Sequence, residues 1–177
     1  ISVFVGLMAS LGSAGFVNQL MSGLVVIYSR ALRTGEFVCV GDDTGTVTDV
    51  GMLSTKILTR RRELITIPNA VLVATKTINY SRQAAEAGLT VGTTVTIGYD
   101  APWRQVHAML LSAAEQTARV RKDPPPRVWQ KALSDFYVEY ELVINLDHPE
   151  ERVPILSELH MHIQDAFNEQ GVQIMSP

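Results

Sequence analysis

The 177 residues carry 15 Lys and Arg against 18 Asp and Glu, a formal net charge of −3 at pH 7, so bulk charge gives no reason to expect a nucleic-acid partner. The only cysteine, Cys39, excludes an internal disulfide and a cysteine zinc cluster, and suits a reducing compartment. The length allows one large domain or two small ones, and a chain that starts at Ile1 without methionine reads as a piece of something longer.

From residue 1 to 29 there is no Asp, Glu, Lys or Arg. As a helix this stretch rises roughly 43 Å, more than the ~30 Å hydrocarbon core of a bilayer. It is too long, and lacks the leading basic residues, for a signal peptide. Arg30 and Arg33 follow at once, and the positive-inside bias puts everything after Arg30 in the cytoplasm. Small residues crowd the first half. Gly6, Ser10 and Ser13 form a ridge that suits close docking on a copy of the same helix, beside Leu7 and Leu11, which share a face at i, i+4. A ring of such helices stacks two layers of leucine around an axis; an ordinary packed membrane helix with scattered leucines stays open as the alternative. Gly12, Gly15 and Gly23 each weaken a helix by ~1 kcal/mol relative to alanine, and Gly12 to Gly15 is a natural bend. Beyond it, Asn18, Ser22 and Ser29 lie to one side and Phe16, Leu20, Leu24 and Ile27 to another, suiting a segment along the membrane surface.

Next come five short β-branched runs, "EFVCVG", "GTVTDV", "STKILT", "ELITIP" and "TKTINYS", predicted as strands, with a helical turn after Pro68. Cys39 reads as a buried apolar side chain in the first. Asp43-Thr44-Gly45 is the triplet of aspartic proteases, but here it joins two short strands, where Asp and Gly favour a turn. A protease needs a much larger β framework, so the triplet is a bend. Arg60-Arg61-Arg62 falls at a hairpin tip, read as a solvated turn or as a contact for lipid headgroups or a partner.

Residues 83–88, "QAAEAG", read as a linker. A strand then alternates Val91, Thr93, Val95, Ile97 and Tyr99 on one face. A helix follows with Val106, Met109, Leu110, Ala113 and Thr117 on one side, and "KDPPPR" stops it. Two strands come next, the second alternating from Phe136 to Leu146. The last helix turns Leu156, Leu159, Ile163 and Phe167 inward and ends at Gly171, before a short run "VQIM". The order β-α-β-β-α-β is the ferredoxin-like split βαβ arrangement.

No catalytic constellation emerges. There is no GxSxG, phosphate loop or dinucleotide fingerprint, so neither enzyme nor cofactor is expected. His160 and His162, two apart on a helix, point away from each other and cannot share a metal ion; His107 and His148 are isolated. The sheet face that would stack RNA carries Tyr137, Glu139 and Glu141, whose carboxylates repel phosphate.

In this order, with "RALRTGEFV", "GTVTDVGMLSTKI" and "ITIPNAVLVATKTINYSR", the chain resembles the small-conductance mechanosensitive channel (MscS-like) family. The resemblance implies a kinked pore-lining membrane helix with an interfacial half-helix (residues 1–30), a small all-β Sm-like barrel (31–83) and an α+β ferredoxin-like domain (84–177, truncated at its end). It places Leu7 and Leu11 at the pore constriction, Gly15 and Gly23 at the kink glycines, and Pro68 and Asn69 at the signature turn. It also implies an inner-membrane homo-oligomer, a heptamer, that contacts lipid and passes ions and small solutes under tension. Phe4 and Met8 stand where the family has small residues. The alternatives are a ligand-gated relative, for example cyclic-nucleotide-gated, and a non-channel oligomeric scaffold.

Overall fold

The computed structural model describes residues 2–175, the side chains of residues 2, 3, 5 and 7–11 excepted. It divides into two compact units, Ile1–Arg82 and Gln83–Pro177. In the first, helix α1 (Ser2–Ser29) leads into five strands, β1 (Phe37–Val40), β2 (Asp43–Val50), β3 (Ser54–Thr59), β4 (Leu64–Pro68) and β5 (Thr77–Asn79), with helix α2 (Asn69–Ala74) before the last. The sheet order is β4-β3-β2-β1-β5, and every pairing is antiparallel. Val38, Val47, Ile57 and Leu72 form its apolar core, joined by Val26 of α1 and by Leu32.

The protease-like triplet, expected as a bend, instead opens β2. Val40 faces Asp43 across a two-residue turn, Gly41-Asp42, with Gly41 at φ 61, the positive φ that such a hairpin turn requires at its first central residue. Asp43 is exposed. Cys39 is only half-buried, and its thiol is within 3.2 Å of the Gly41 carbonyl.

The expected linker is instead helical: helix α3 spans Tyr80–Ala87. The side-chain oxygen of Asn79 accepts the Arg82 N–H at 3.1 Å, satisfying one of the donors that a helix start leaves open. Ala84 is buried, and the Gly88 N–H closes the last turn on the Ala84 carbonyl. A small, polar, alanine-containing stretch reads as a linker until a cap and a packing surface fix it.

The second unit contains β6 (Leu89–Ile97), α4 (Trp103–Gln116), β7 (Arg127–Leu133), β8 (Val138–Leu146), α5 (Arg152–Glu169) and β9 (Ile174–Met175). Its strand order, β7-β8-β6-β9, is that of the split βαβ arrangement. Alternate residues of β8, Val138 to Leu146, are buried against Leu110 of α4 and Leu159, Ile163 and Phe167 of α5; each such side chain contributes about 1.5–3 kcal/mol by leaving water. Two expectations fail at the ends of elements. Tyr99 and Phe136 lie outside the strands and are exposed, Tyr99 donating its hydroxyl to the Ser134 carbonyl at 2.6 Å. On α5 Leu156 is half-buried and packs against the core as expected, and Ile155, which the sequence reading did not single out, is fully buried beside it.

His107 of α4 packs edge-on against Trp103 and Tyr140, with ring centroids 5.2 and 5.7 Å away. Its buried Nε2 has no hydrogen-bond partner among the described residues, and burial pushes its pKa below the ordinary 6.5. The folded chain thus binds fewer protons here than the unfolded one. Stability from this residue is complete above about pH 6.5 and is lost as pH falls toward the lowered folded value. Thermal unfolding at pH 7.5 and 5.5 should show a smaller acid-side drop in His107→Leu than in the wild type; equal drops would remove His107 as the cause.

Candidate functional site at the helix and sheet junction

Helix α1 meets the rest of its unit along one narrow face and leaves large apolar side chains exposed elsewhere. Ser22, Gly23 and Val26 are buried and Gln19 is half-buried, whereas Phe16, Val17, Met21, Val25, Ile27 and Tyr28 are exposed, Phe16 at 61% and Tyr28 at 83%. The packed positions 19, 22, 23 and 26 follow the i, i+3, i+4, i+7 spacing of one helix face. Sequence reading distinguished a polar from an apolar side, but in a water-soluble helix the apolar side would be the packed one. Here neither side packs as a whole: Ser22 is buried and Leu20 and Leu24 are half-buried, whereas Asn18, Ser29, Phe16 and Ile27 are exposed.

Three groups hold the packed face. A β-carbon on Gly23 would collide with the Met52 carbonyl oxygen and come within 2.8 Å of its carbon, so only glycine permits this approach. Gln19 donates its side-chain amide to the Leu53 carbonyl, and its oxygen accepts the Ala70 N–H at 3.3 Å. Asn69, at 0% exposure, donates to the Gly51 and Met52 carbonyls at 2.9 and 3.1 Å and accepts the Thr55 hydroxyl at 3.0 Å. Its own N–H reaches the Leu53 carbonyl at 2.9 Å. Pro68, at φ −56, ends β4 and starts α2, which aims Asn69 inward. The signature turn thus builds the surface on which the helix rests.

A second cluster fixes the exit of α1. Arg82 donates to the carbonyls of Arg30 and Ala31 at 2.9 and 3.2 Å, meeting backbone acceptors left open beyond the helix end. It also pairs with Glu36 at 3.2 Å, whose carboxylate accepts the Arg33 N–H at 2.8 Å and the Asn79 amide at 2.7 Å. Ser81 accepts the Phe37 N–H at 2.8 Å. The Asn-x-Ser-Arg end of the signature is therefore a clamp around the chain between helix and sheet. Gln19 and Glu36 were not singled out from the sequence; Glu36 stands inside the quoted "RTGEFV", and nothing local marks Gln19.

The other expected residues are distributed as follows. The side chains of Leu7, Leu11 and Ser10 lie outside the described residues. Gly6, Gly12 and Gly15 have nothing within 4 Å of a built β-carbon, and Ser13 is exposed. The helix is assigned continuously through Gly15 and Gly23. Among the described residues no helix is long and apolar enough to cross a membrane. His160 contacts the Thr93 hydroxyl at 2.7 Å, while His162 lies 3.9 Å from Glu158.

The comparisons fall on these two units. The family model described as mechanosensitive ion channel, beta-domain, matches residues 15–82, and that described as mechanosensitive ion channel MscS, C-terminal, matches residues 91–174. The miniconductance mechanosensitive channel MscM of Escherichia coli is 29% identical over 89% of this chain and 14% of its own length. The mechanosensitive channel MscK of the same organism is 30% identical over 71% and 11%. A solved closed-state MscS from Helicobacter pylori superposes with a TM-score of 0.84 at 16% identity, covering 98% of this chain and 67% of that one; MSL1 of Arabidopsis thaliana gives 0.73 at 17%, over 98% and 64%. The likeness to these structures shows the fold, that of the β-rich and C-terminal parts of an ion channel. The chain belongs to the MscS-like mechanosensitive channel family, and spans only about a seventh or less of the first two relatives.

Asn69→Ala would leave the Thr55 hydroxyl and two carbonyls without their partner, at about 1–3 kcal/mol for each group left unsatisfied. Gly23→Ala should cost about 1–3 kcal/mol through overpacking. Thermal unfolding in detergent should rank both well below Gly12→Ala, whose added methyl meets nothing within 4 Å; a wild-type midpoint for Gly23→Ala would disprove the close approach.

Proposed function

We propose that this chain supplies the pore helix and the cytoplasmic part of a channel subunit that opens under bilayer tension and passes ions and small solutes. The observation that carries the proposal is the set of large apolar side chains that α1 leaves exposed, Phe16, Val17, Met21, Val25 and Ile27, which suit lipid or neighbouring helices and not water. We divide the chain into a membrane helix with an interfacial half-helix (residues 1–30), an Sm-like β barrel (31–83) and a ferredoxin-like domain (84–177). The helix lies in the inner membrane, with the residues after Arg30 on the cytoplasmic side, as the uncharged stretch followed by arginines favours.

Self-assembly, into a heptamer, brings seven copies of α1 together through Gly6, Ser10 and Ser13, and turns Leu7 and Leu11 toward the axis. A narrow leucine-lined pore sheds water, and ions cannot cross it without their hydration. The junction supports a division of labour along the helix. From Gln19 onward, α1 is held on the sheet and its exit is clamped, so a tension-driven movement is taken up before Gln19. Gly15, with no packing around it, is the hinge of this proposal; Gly23 serves as the contact that keeps the lower half seated.

Patch-clamp recording of the full-length protein tests this reading. Leu11→Ser places hydroxyls in the constriction and should open at lower tension than the wild type; an unchanged threshold would remove Leu11 from the gate. Gly15→Ala should favour an unbent helix by ~1 kcal/mol per subunit, altering closing or inactivation while assembly persists. Closing kinetics identical to the wild type would move the hinge elsewhere.

A further inference from the structure

We propose that His107 is an acid-sensitive latch, which holds the start of α4 on the sheet while neutral and frees it when protonated. The first turn of α4 is weakly held by itself. Pro102 at its N-cap has no side-chain acceptor for the open N–H groups of a helix start. The N–H groups of Gln105 and Val106 both return to the Pro102 carbonyl, at 2.9 and 3.2 Å, and Trp103 and Arg104 are exposed. What seats this turn is the fully buried Val106 and the His107 ring, edge-on against Tyr140 of β8. Farther along, Leu110, Ala113 and Ala114 are buried. They hold the rest of the helix, so its start can open while the remainder stays packed.

The surroundings of the imidazole suit only its neutral form. Among the described residues its Nε2 is the one buried side-chain nitrogen or oxygen without a hydrogen-bond partner, and a charge placed there has nothing to pair it. On α4 the charge beside it has the same sign: the Arg104 guanidinium lies 4.2 Å from the centre of the Trp103 ring, which His107 meets at 5.2 Å. On the sheet, Tyr140 stands opposite Gln130 of β7. Both are uncharged in mild acid, the Tyr140 hydroxyl being pushed further up by burial and then by Tyr99. Glu139 and Glu141 alternate to the other face of β8, where Lys131 pairs with them at 3.6 and 3.9 Å. Asp100, in the loop before α4, turns back toward Gly98. Asp165 and Glu169 of α5 line the groove along Gln105, Ala108 and Ser112, on the opposite side of α4. None of these carboxylates faces the imidazole. A released ring reaches water and titrates at the ordinary 6.5, whereas burial holds the packed ring below that value. The latch is therefore complete above about pH 6.5 and loosens as pH falls toward the packed value. The charge appears on one ring, and the element it biases is one uncapped turn.

The test is hydrogen–deuterium exchange of the full-length protein in detergent at pH 7.5 and 5.5, with labelling times scaled for the slower chemical exchange in acid. Protection of residues 105–110 should fall severalfold in the wild type. The ceiling is about tenfold, reached when the opened His107 titrates at its ordinary value and the packed one stays neutral throughout. Exchange in this segment should be faster than in α5 at both pH values and insensitive to low urea, since a local opening exposes little surface. His107→Phe keeps an aromatic ring without a titrating group and should abolish the pH dependence. His107→Leu gives the same readout where the phenyl ring does not pack. A wild-type protection that is the same at both pH values would overturn the latch, as would an equal fall in the two variants. Exchange with the same urea dependence at the start of α4 and in α5 would also overturn it, because acid would then act on the whole unit and not on one turn.

Discussion

The first unit depends on one close approach, that of the α1 backbone to the Met52 carbonyl at Gly23. Helix backbones normally stand off by the depth of their side chains, about 8–10 Å between axes. Removing the side chain at Gly23 lets the helix settle onto a loop whose carbonyls need donors. Asn69 meets that need from within, donating to Gly51 and Met52 while its oxygen takes the Thr55 hydroxyl. An apolar residue at position 69 would leave these groups buried and unpaired. The turn that positions Asn69 is therefore part of the helix seat and not a separate feature.

This seat explains which face of α1 is held. A helix attached along the narrow face of Gln19, Ser22, Gly23 and Val26 leaves Phe16, Val17, Met21 and Val25 facing outward. Such a surface needs a covering that water cannot supply. The exit clamp gives the same helix a fixed end, because the Arg82 guanidinium joins the first carbonyls beyond it to the Glu36 carboxylate. Exposed ion pairs contribute little on average. This one is half-exposed only on the arginine side and is reinforced by the Asn79 amide and the Arg33 N–H, so its weight lies in positioning as much as in stability.

Much of the architecture was legible because alternation and turn chemistry are local. The β8 pattern from Val138 to Leu146 and the α4 face from Val106 to Thr117 are buried as their periods require. Turn preference gave a bend between β1 and β2 but placed it at Asp43-Thr44-Gly45, whereas the turn is Gly41-Asp42 and the triplet is paired within β2. Failures sit where local composition is neutral. Residues 83–88 hold no strong period, and only the Asn79 cap and the burial of Ala84 make them helical. Tyr99 and Phe136 extend a correct alternation one step too far, past the point where the β6 and β8 pairing stops at Ile97 and Val138.

The sequence by itself determined the uncharged helix, the five-strand run, the βαβ order and the family, since each is written in period, punctuation or motif. Tertiary structure decided which side of α1 is held and what the motif residues do. Gln19 meets Leu53 and Ala70, and Arg82 meets Arg30 and Ala31, across 34 to 52 residues of chain. A hydrogen bond at that separation has no local signature. It exists only because the sheet brings the two ends together, and the same glutamine on a free helix would simply face water.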